Sequence, residues 1–162
     1  MRLIISDVLN LPSKTGDKLI IPDSTLKIHH CIGCFGCWIK TPGQCIIKDN
    51  YMNMGELLGH CNELILVSEC VYGGFSPFVK NVLDRSISYI SPYFTTRNKE
   101  MHHKQRYDNI INISAHFYGI NITEKEKATV LNIIAANAVN FSAVVNGIVF
   151  HNSVDEIKGA LA

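Results

Sequence analysis

Four of the chain's six cysteines fall within the fifteen-residue stretch CIGCFGCWIKTPGQC (31–45), so this is where the sequence concentrates its reactive chemistry. Cys31, Cys34, Cys37 and Cys45 are spaced C-x2-C-x2-C-x7-C. Thiolates at i, i+3 and i+6, on a loop softened by Gly33 and Gly36, can wrap one face of an iron–sulfur cubane, with a fourth ligand further along. Structural zinc sites combine separated ligand pairs, so zinc suits the spacing less well. The plain alternative is four free thiols in a packed loop anchored by Phe35 and Trp38. Disulfides are disfavoured in a reducing compartment, which is where this sequence points. A [4Fe-4S] cluster and unliganded thiols both stay open, with zinc or disulfides behind them. Cys61 reads as a small buried apolar residue, and Cys70 has the same plain reading.

A second set of residues suits a planar ligand. CVYGGFSP (70–77) and AHFYGIN (115–121) each join glycine to aromatic side chains. Gly73 and Gly74 let backbone N–H groups approach a ligand closely. Tyr72, Phe75, Phe117 and Tyr118 offer faces for a flat ring. The alternative is that the glycines make a tight turn while the aromatics pad the core. Both loops fall at one sheet edge, and that coincidence favours a planar cofactor. The candidate binding residues are Cys70, Val71, Tyr72, Gly73, Gly74, Phe75 and Ser76 in the first loop. Ala115, His116, Phe117, Tyr118 and Gly119 form the second, with His116 able to hydrogen-bond a substrate carbonyl.

These residues need elements to position them. RLIIS (2–6), KLII (18–21), ELILVSE (63–69), NIINIS (109–114) and AVVNGIVF (143–150) read as strands. ELILVSE is apolar on both faces, as a central parallel strand should be. Asn53 with Glu56 predicts a capped helix over 54–61, and Thr123 with Glu126 another to about 138. Ser76-Pro77 predicts an N-cap followed by proline, opening a helix over 77–90. Ser153 with Glu156 caps a short terminal helix. Strand–helix alternation implies an α/β domain spanning 1–162, with a doubly wound parallel sheet. In such sheets ligands sit beyond the carboxyl ends of the strands. The basic stretch TTRNKEMHHKQRYD (95–108) is predicted as a solvated excursion.

Composition closes off other classes. A formal net charge of +1 gives no global field for nucleic acid or an anionic membrane. Residues 128–154 carry no charge, but Asn132, Asn137, Asn140 and Asn146 interrupt them, so a buried helix followed by a strand is predicted instead of a membrane span. The first residues make a poor signal peptide, and the expected compartment is the cytoplasm.

CIGCFGCWIKTPGQCIIKDN, LILVSECVYGGFSPFVKNVLDR and INISAHFYG together resemble the NADPH-dependent FMN reductases and their iron–sulfur flavoprotein relatives, over roughly residues 18 to 150. The cysteine loop and Lys80…Asp84-Arg85 are the most specific parts. The resemblance implies a flavodoxin-like fold with strand order 2-1-3-4-5, binding FMN. The 69–76 loop would run along the isoalloxazine and the 115–119 loop would flank it. The implied activity moves electrons from NAD(P)H to a quinone, a flavin or another small acceptor. The alternatives are an iron–sulfur electron carrier exchanging electrons with a ferredoxin, and a scaffold without flavin.

The sequence departs from the pattern twice. Glu69 stands where relatives carry proline. Only eleven residues separate Ser6 from Lys18, too few for the usual phosphate loop and a full covering helix. The first helix is therefore expected to be missing, leaving Ser13, Lys14 and Thr15 as candidates near the phosphate; Lys14 is the residue assigned to it. A missing helix also exposes apolar sheet surface, so a homo-oligomer is expected, with YISPYF (89–94) as the contact.

Overall fold

The computed structural model describes residues 1–97 and 99–161. Its centre is a five-stranded, all-parallel sheet of β1 (Arg2–Ser6), β2 (Lys18–Ile20), β3 (Glu63–Glu69), β6 (Asn112–Tyr118) and β7 (Val144–His151). The spatial order is β2-β1-β3-β6-β7, the 2-1-3-4-5 order of a flavodoxin-like sheet. An antiparallel pair, β4 (Ile90–Arg97) and β5 (Glu100–Gln105), stands apart from it.

The two faces of the sheet are covered unequally. On one, Leu3, Ile5, Leu64, Leu66, Ile113, Ala115 and Phe117 pack under α2 (Met54–Gly59), α3 (Pro77–Arg85) and α4 (Glu124–Phe141). On the other, Ile4, Ile65 and Val67 meet α5 (Val154–Leu161), chiefly its buried Ile157, and the loop residues Val8 and Leu11. Residues 7–17 contain no helix, and β2 is three residues long. The short connection therefore gives the irregular loop expected, with two apolar side chains standing in for a helix.

Local chemistry explains most boundaries. Ser76 caps α3 by accepting from the Val79 N–H, with proline in the first turn. Thr123 and Glu126 make a reciprocal capping box on α4. The Glu156 N–H donates to Ser153 at the start of α5 (3.3 Å).

Three expectations need correction. Asn53 makes no capping bond to α2; its side-chain oxygen accepts from Gln44 instead. The helix over 77–90 ends at Arg85, and a 3-10 turn (Ser86–Tyr89) leads into β4. The stretch 95–108 is largely strand. Its Arg97 donates to the Val139 carbonyl of α4 (2.9 Å), and His103 donates from Nδ1 to the Ser91 carbonyl (2.8 Å). No helix among the described residues is long and apolar enough to cross a membrane.

Candidate functional site: a four-cysteine pocket and its adjoining groove

Cys37 lies on a single helical turn, α1 (Gly36–Ile39), while Cys31, Cys34 and Cys45 lie in the irregular chain around it. Phe35 enters the turn with φ of 55°, in the left-handed region. A Cβ on Gly36 would stand 2.5 Å from the Ile46 side chain, so a larger residue would push the two limbs of the loop apart. Trp38 fastens the turn to β4 by donating its indole N–H to the Ile90 carbonyl (3.0 Å).

The roots of the loop are held by one buried ion pair. Arg85, the last residue of α3, is fully enclosed, and Asp49 is nearly so. Its two terminal nitrogens grip Asp49 at 2.7 and 2.8 Å. They also reach the His29 carbonyl, two residues before Cys31, at 2.8 Å and the Ile47 carbonyl, two after Cys45, at 3.3 Å. Asp49 in turn accepts from the His29 and Tyr51 N–H groups at 3.1 and 3.0 Å. Burial opposes ionisation of Asp49, but Arg85 and those N–H groups outweigh it and hold the carboxyl far below the usual range. The fork of a guanidinium suits this two-ended grip, which a lysine could not make.

All four cysteines line one small pocket of about 90 Å³, walled by Phe35, Trp38, Ile47 and Ile87 and bounded by Arg85. Cys37 is buried, and burial first, then the neighbouring thiols of Cys45, Cys31 and Cys34, push its pKa up. None of the six cysteines is paired in a disulfide. Among the described residues no three His, Cys, Asp or Glu side chains converge as a single metal ion would require. The four thiols nevertheless border one common pocket, and four cysteine ligands are what an iron–sulfur cluster asks for. The Nε–H of Arg85, moreover, is buried without an acceptor. Burial works against the guanidinium charge, yet Asp49 and then Cys45 raise its pKa. A buried donor left open beside four thiols fits an anionic sulfur centre.

The pocket opens beside a larger groove of about 770 Å³. Cys31, Gly33, Asp84 and Ile87 are common to both. The groove runs past Gly74 and Phe75 to Ile133, Asn137 and Phe141 of α4, with His103 on the hairpin side.

The predicted flavin residues divide. Val71 to Gly74 form a tight turn closed by two hydrogen bonds of 3.0 and 2.8 Å, with Tyr72 and Gly73 at positive φ. Gly73 packs against α4: a Cβ there would meet Thr129 at 2.8 Å, so its open face is already filled. Gly74 borders the groove and Tyr72 is 91% exposed. Phe75 and Phe117 stack on one another in the core (5.3 Å), and of the two only Phe75 also borders the groove. Cys70 is half-buried, its pKa raised by burial, and Ser76 is the buried cap of α3. The second loop is not a loop up to Tyr118: Ala115, His116, Phe117 and Tyr118 continue β6, and only Gly119 lies beyond it. The strand begins late because Asn109 is engaged elsewhere, donating to the Leu58 and Cys61 carbonyls (2.8 and 2.6 Å). His116 faces His151 across the sheet (3.0 Å) on the face away from Phe117, and burial lowers the pKa of both.

At the carboxyl end of β1 stands Asp7, which sequence reasoning missed. Its carboxylate accepts from the Glu69 N–H (2.9 Å) and the Tyr118 hydroxyl (3.1 Å). A negative side chain thus occupies the place where the resemblance would put phosphate-binding amides. Lys14 turns its N–H to Asp17 (2.6 Å) in the exposed part of the same loop. The residues present do not form a phosphate cradle. Asp49 was missed too; its only trace in the sequence is one acidic residue just past Cys45.

No protein-family model matches the chain, and no curated protein matches it. Solved structures do. The azoreductase AzrA superposes with a TM-score of 0.53 at 11% identity, covering 98% of this chain and 93% of that one. An azoreductase from Bacillus anthracis str. Sterne gives 0.50 at 9% identity, covering 99% and 92%. At such identities the likeness concerns architecture, and it agrees with the strand order: the fold is flavodoxin-like.

Proposed function

We propose that this chain is an electron-transfer oxidoreductase whose redox centre is a [4Fe-4S] cluster on Cys31, Cys34, Cys37 and Cys45. The observation that carries the reading is the convergence of these four thiols on one apolar pocket faced by a buried guanidinium. A cluster bound there supplies one-electron transfer. The chain's part is to fix both roots of the loop through Arg85 and Asp49, to exclude water with Phe35, Trp38, Ile47 and Ile87, and to leave Cys31 and Cys34 toward solvent for electron exchange.

A second reading is supported by the adjoining groove: an FMN-dependent oxidoreductase taking electrons from NAD(P)H to a quinone, a flavin or another small acceptor. The groove has room for a planar ring between Gly74 and Cys31. The phosphate half of FMN lacks its cradle, with Asp7 at the end of β1 where the amides would stand. The two readings coexist in an iron–sulfur flavoprotein, where a ferredoxin is the natural exchange partner. Protein purified without air decides between them. About four irons per chain with or without flavin supports the cluster. Iron-free, yellow protein supports the flavin reductase. Colourless protein lacking both overturns each.

A further inference from the structure

The orphaned nitrogen of Arg85 has a consequence for the redox centre. A fully buried N–H without an acceptor is destabilising, because it has given up its hydrogen bond to water for nothing. Such a cost is tolerated where a partner arrives later. Four of the guanidinium's hydrogen bonds go to Asp49, His29 and Ile47, which all belong to the roots of the cysteine loop. Only Nε remains open, and Arg85 lines the cysteine pocket while Asp49 does not. The carboxylate therefore neutralises the cation from behind and leaves its positive edge toward the sulfurs.

We infer that Arg85 is a positioning and tuning residue for the cysteine pocket, its Nε–H serving as a hydrogen-bond donor to a sulfur of that pocket when the metal centre is bound. This inference rests on the cluster reading. Hydrogen bonds to cluster sulfurs, and the charge around them, set the reduction potential. Reduction adds one electron to the centre, and a donor plus a cation at the pocket wall stabilise the added negative charge. Arg85 accordingly raises the potential and retains the metal, while its terminal nitrogens hold the loop ready before metal arrives.

The test compares wild type with Arg85→Lys and with the double variant Arg85→Met/Asp49→Met, each reconstituted anaerobically with ferrous iron and sulfide. Replacing a buried ion pair by apolar residues of similar size is often neutral for stability, so the double variant can fold, which its melting curve checks. Iron content, the rate of iron loss to a chelator and the midpoint potential in a dithionite titration are read. We expect both variants to lose iron about tenfold faster and to show lower midpoint potentials. Arg85→Lys retains a cation but no Nε fork, so it decides the matter even where the double variant misfolds. A purely structural Arg85 would leave the potential of whatever cluster forms unchanged, and that result would overturn the inference. Wild-type protein that takes up no iron defeats the cluster reading itself, which separates the two failures.

Discussion

Asp49 shows how much a single carboxylate organises. Its partner Arg85 sits at zero exposure, so removing the acid strands a cation in the interior. Asp49→Ala is expected to cost about 3–5 kcal/mol, read as a lower urea midpoint with an unchanged slope. The pH dependence follows from the same pair. Asp49 is held well below its unfolded value, so its contribution is complete above about pH 4 and is lost as pH falls and the carboxyl takes up its proton. Wild type should thus lose stability on acidification through this region, and Asp49→Ala should lose less. Parallel acid profiles for the two proteins would remove Asp49 from that role.

Between residue and molecule lie the turns and strands that place the site. Gly73 and Gly74 are adjacent but have different duties. A side chain at Gly73 collides with Thr129 and needs a left-handed backbone, whereas one at Gly74 meets only the Val71 carbonyl, at 3.4 Å. Gly73→Val should therefore destabilise the fold by more than about 1 kcal/mol. Gly74→Val should fold normally and weaken flavin binding by narrowing the groove. FMN titrating equally into wild type and Gly74→Val would show that the turn is no flavin platform. These elements also show what the sequence could reveal. The five parallel strands, the Ser76 and Thr123 caps and the missing first helix were legible, because apolar runs, capping residues and a count of eleven intervening residues are local signals. The extension of β6 through Tyr118 was not, since His116 and Tyr118 look like loop chemistry until β7 pairs with them. Nor was the hairpin β4–β5, whose strands lack a regular apolar alternation and are held by Trp38 and α4 from far along the chain. The cysteine pocket was half legible: spacing named its four thiols, but only folding brings Arg85 and Asp49, thirty-six residues apart, behind them.

At the scale of the whole molecule, aromatic rings join the site to the surface. Phe35 stacks on Trp38 (5.4 Å), and His103 packs at a tilt against both Trp38 (4.7 Å) and Phe94 (4.7 Å), making one wall from the cysteine pocket to the hairpin. Its end members, Phe35 and Phe94, are both more than half exposed, and Ile39, Tyr93 and Met101 are exposed as well. The stretch 89–94 contributes less than its composition promised, for Tyr89, Ile90 and Ser91 are buried within the fold. Exposed apolar side chains on the two limbs of one wall are costly in water and mark an interaction surface. We propose that a second copy of the chain covers this wall. Burying a phenylalanine contributes about 2 kcal/mol, and an isologous contact counts each substitution twice. Phe94→Glu should therefore weaken association by more than about a hundredfold while leaving the fold of the single chain intact, because the Phe94 side chain is 58% exposed within it. Sedimentation equilibrium at micromolar concentration is the measurement. A dimer that Phe94→Glu converts to monomer places the interface on the hairpin, a dimer unaffected by it moves the interface elsewhere, and a wild-type monomer removes the proposal.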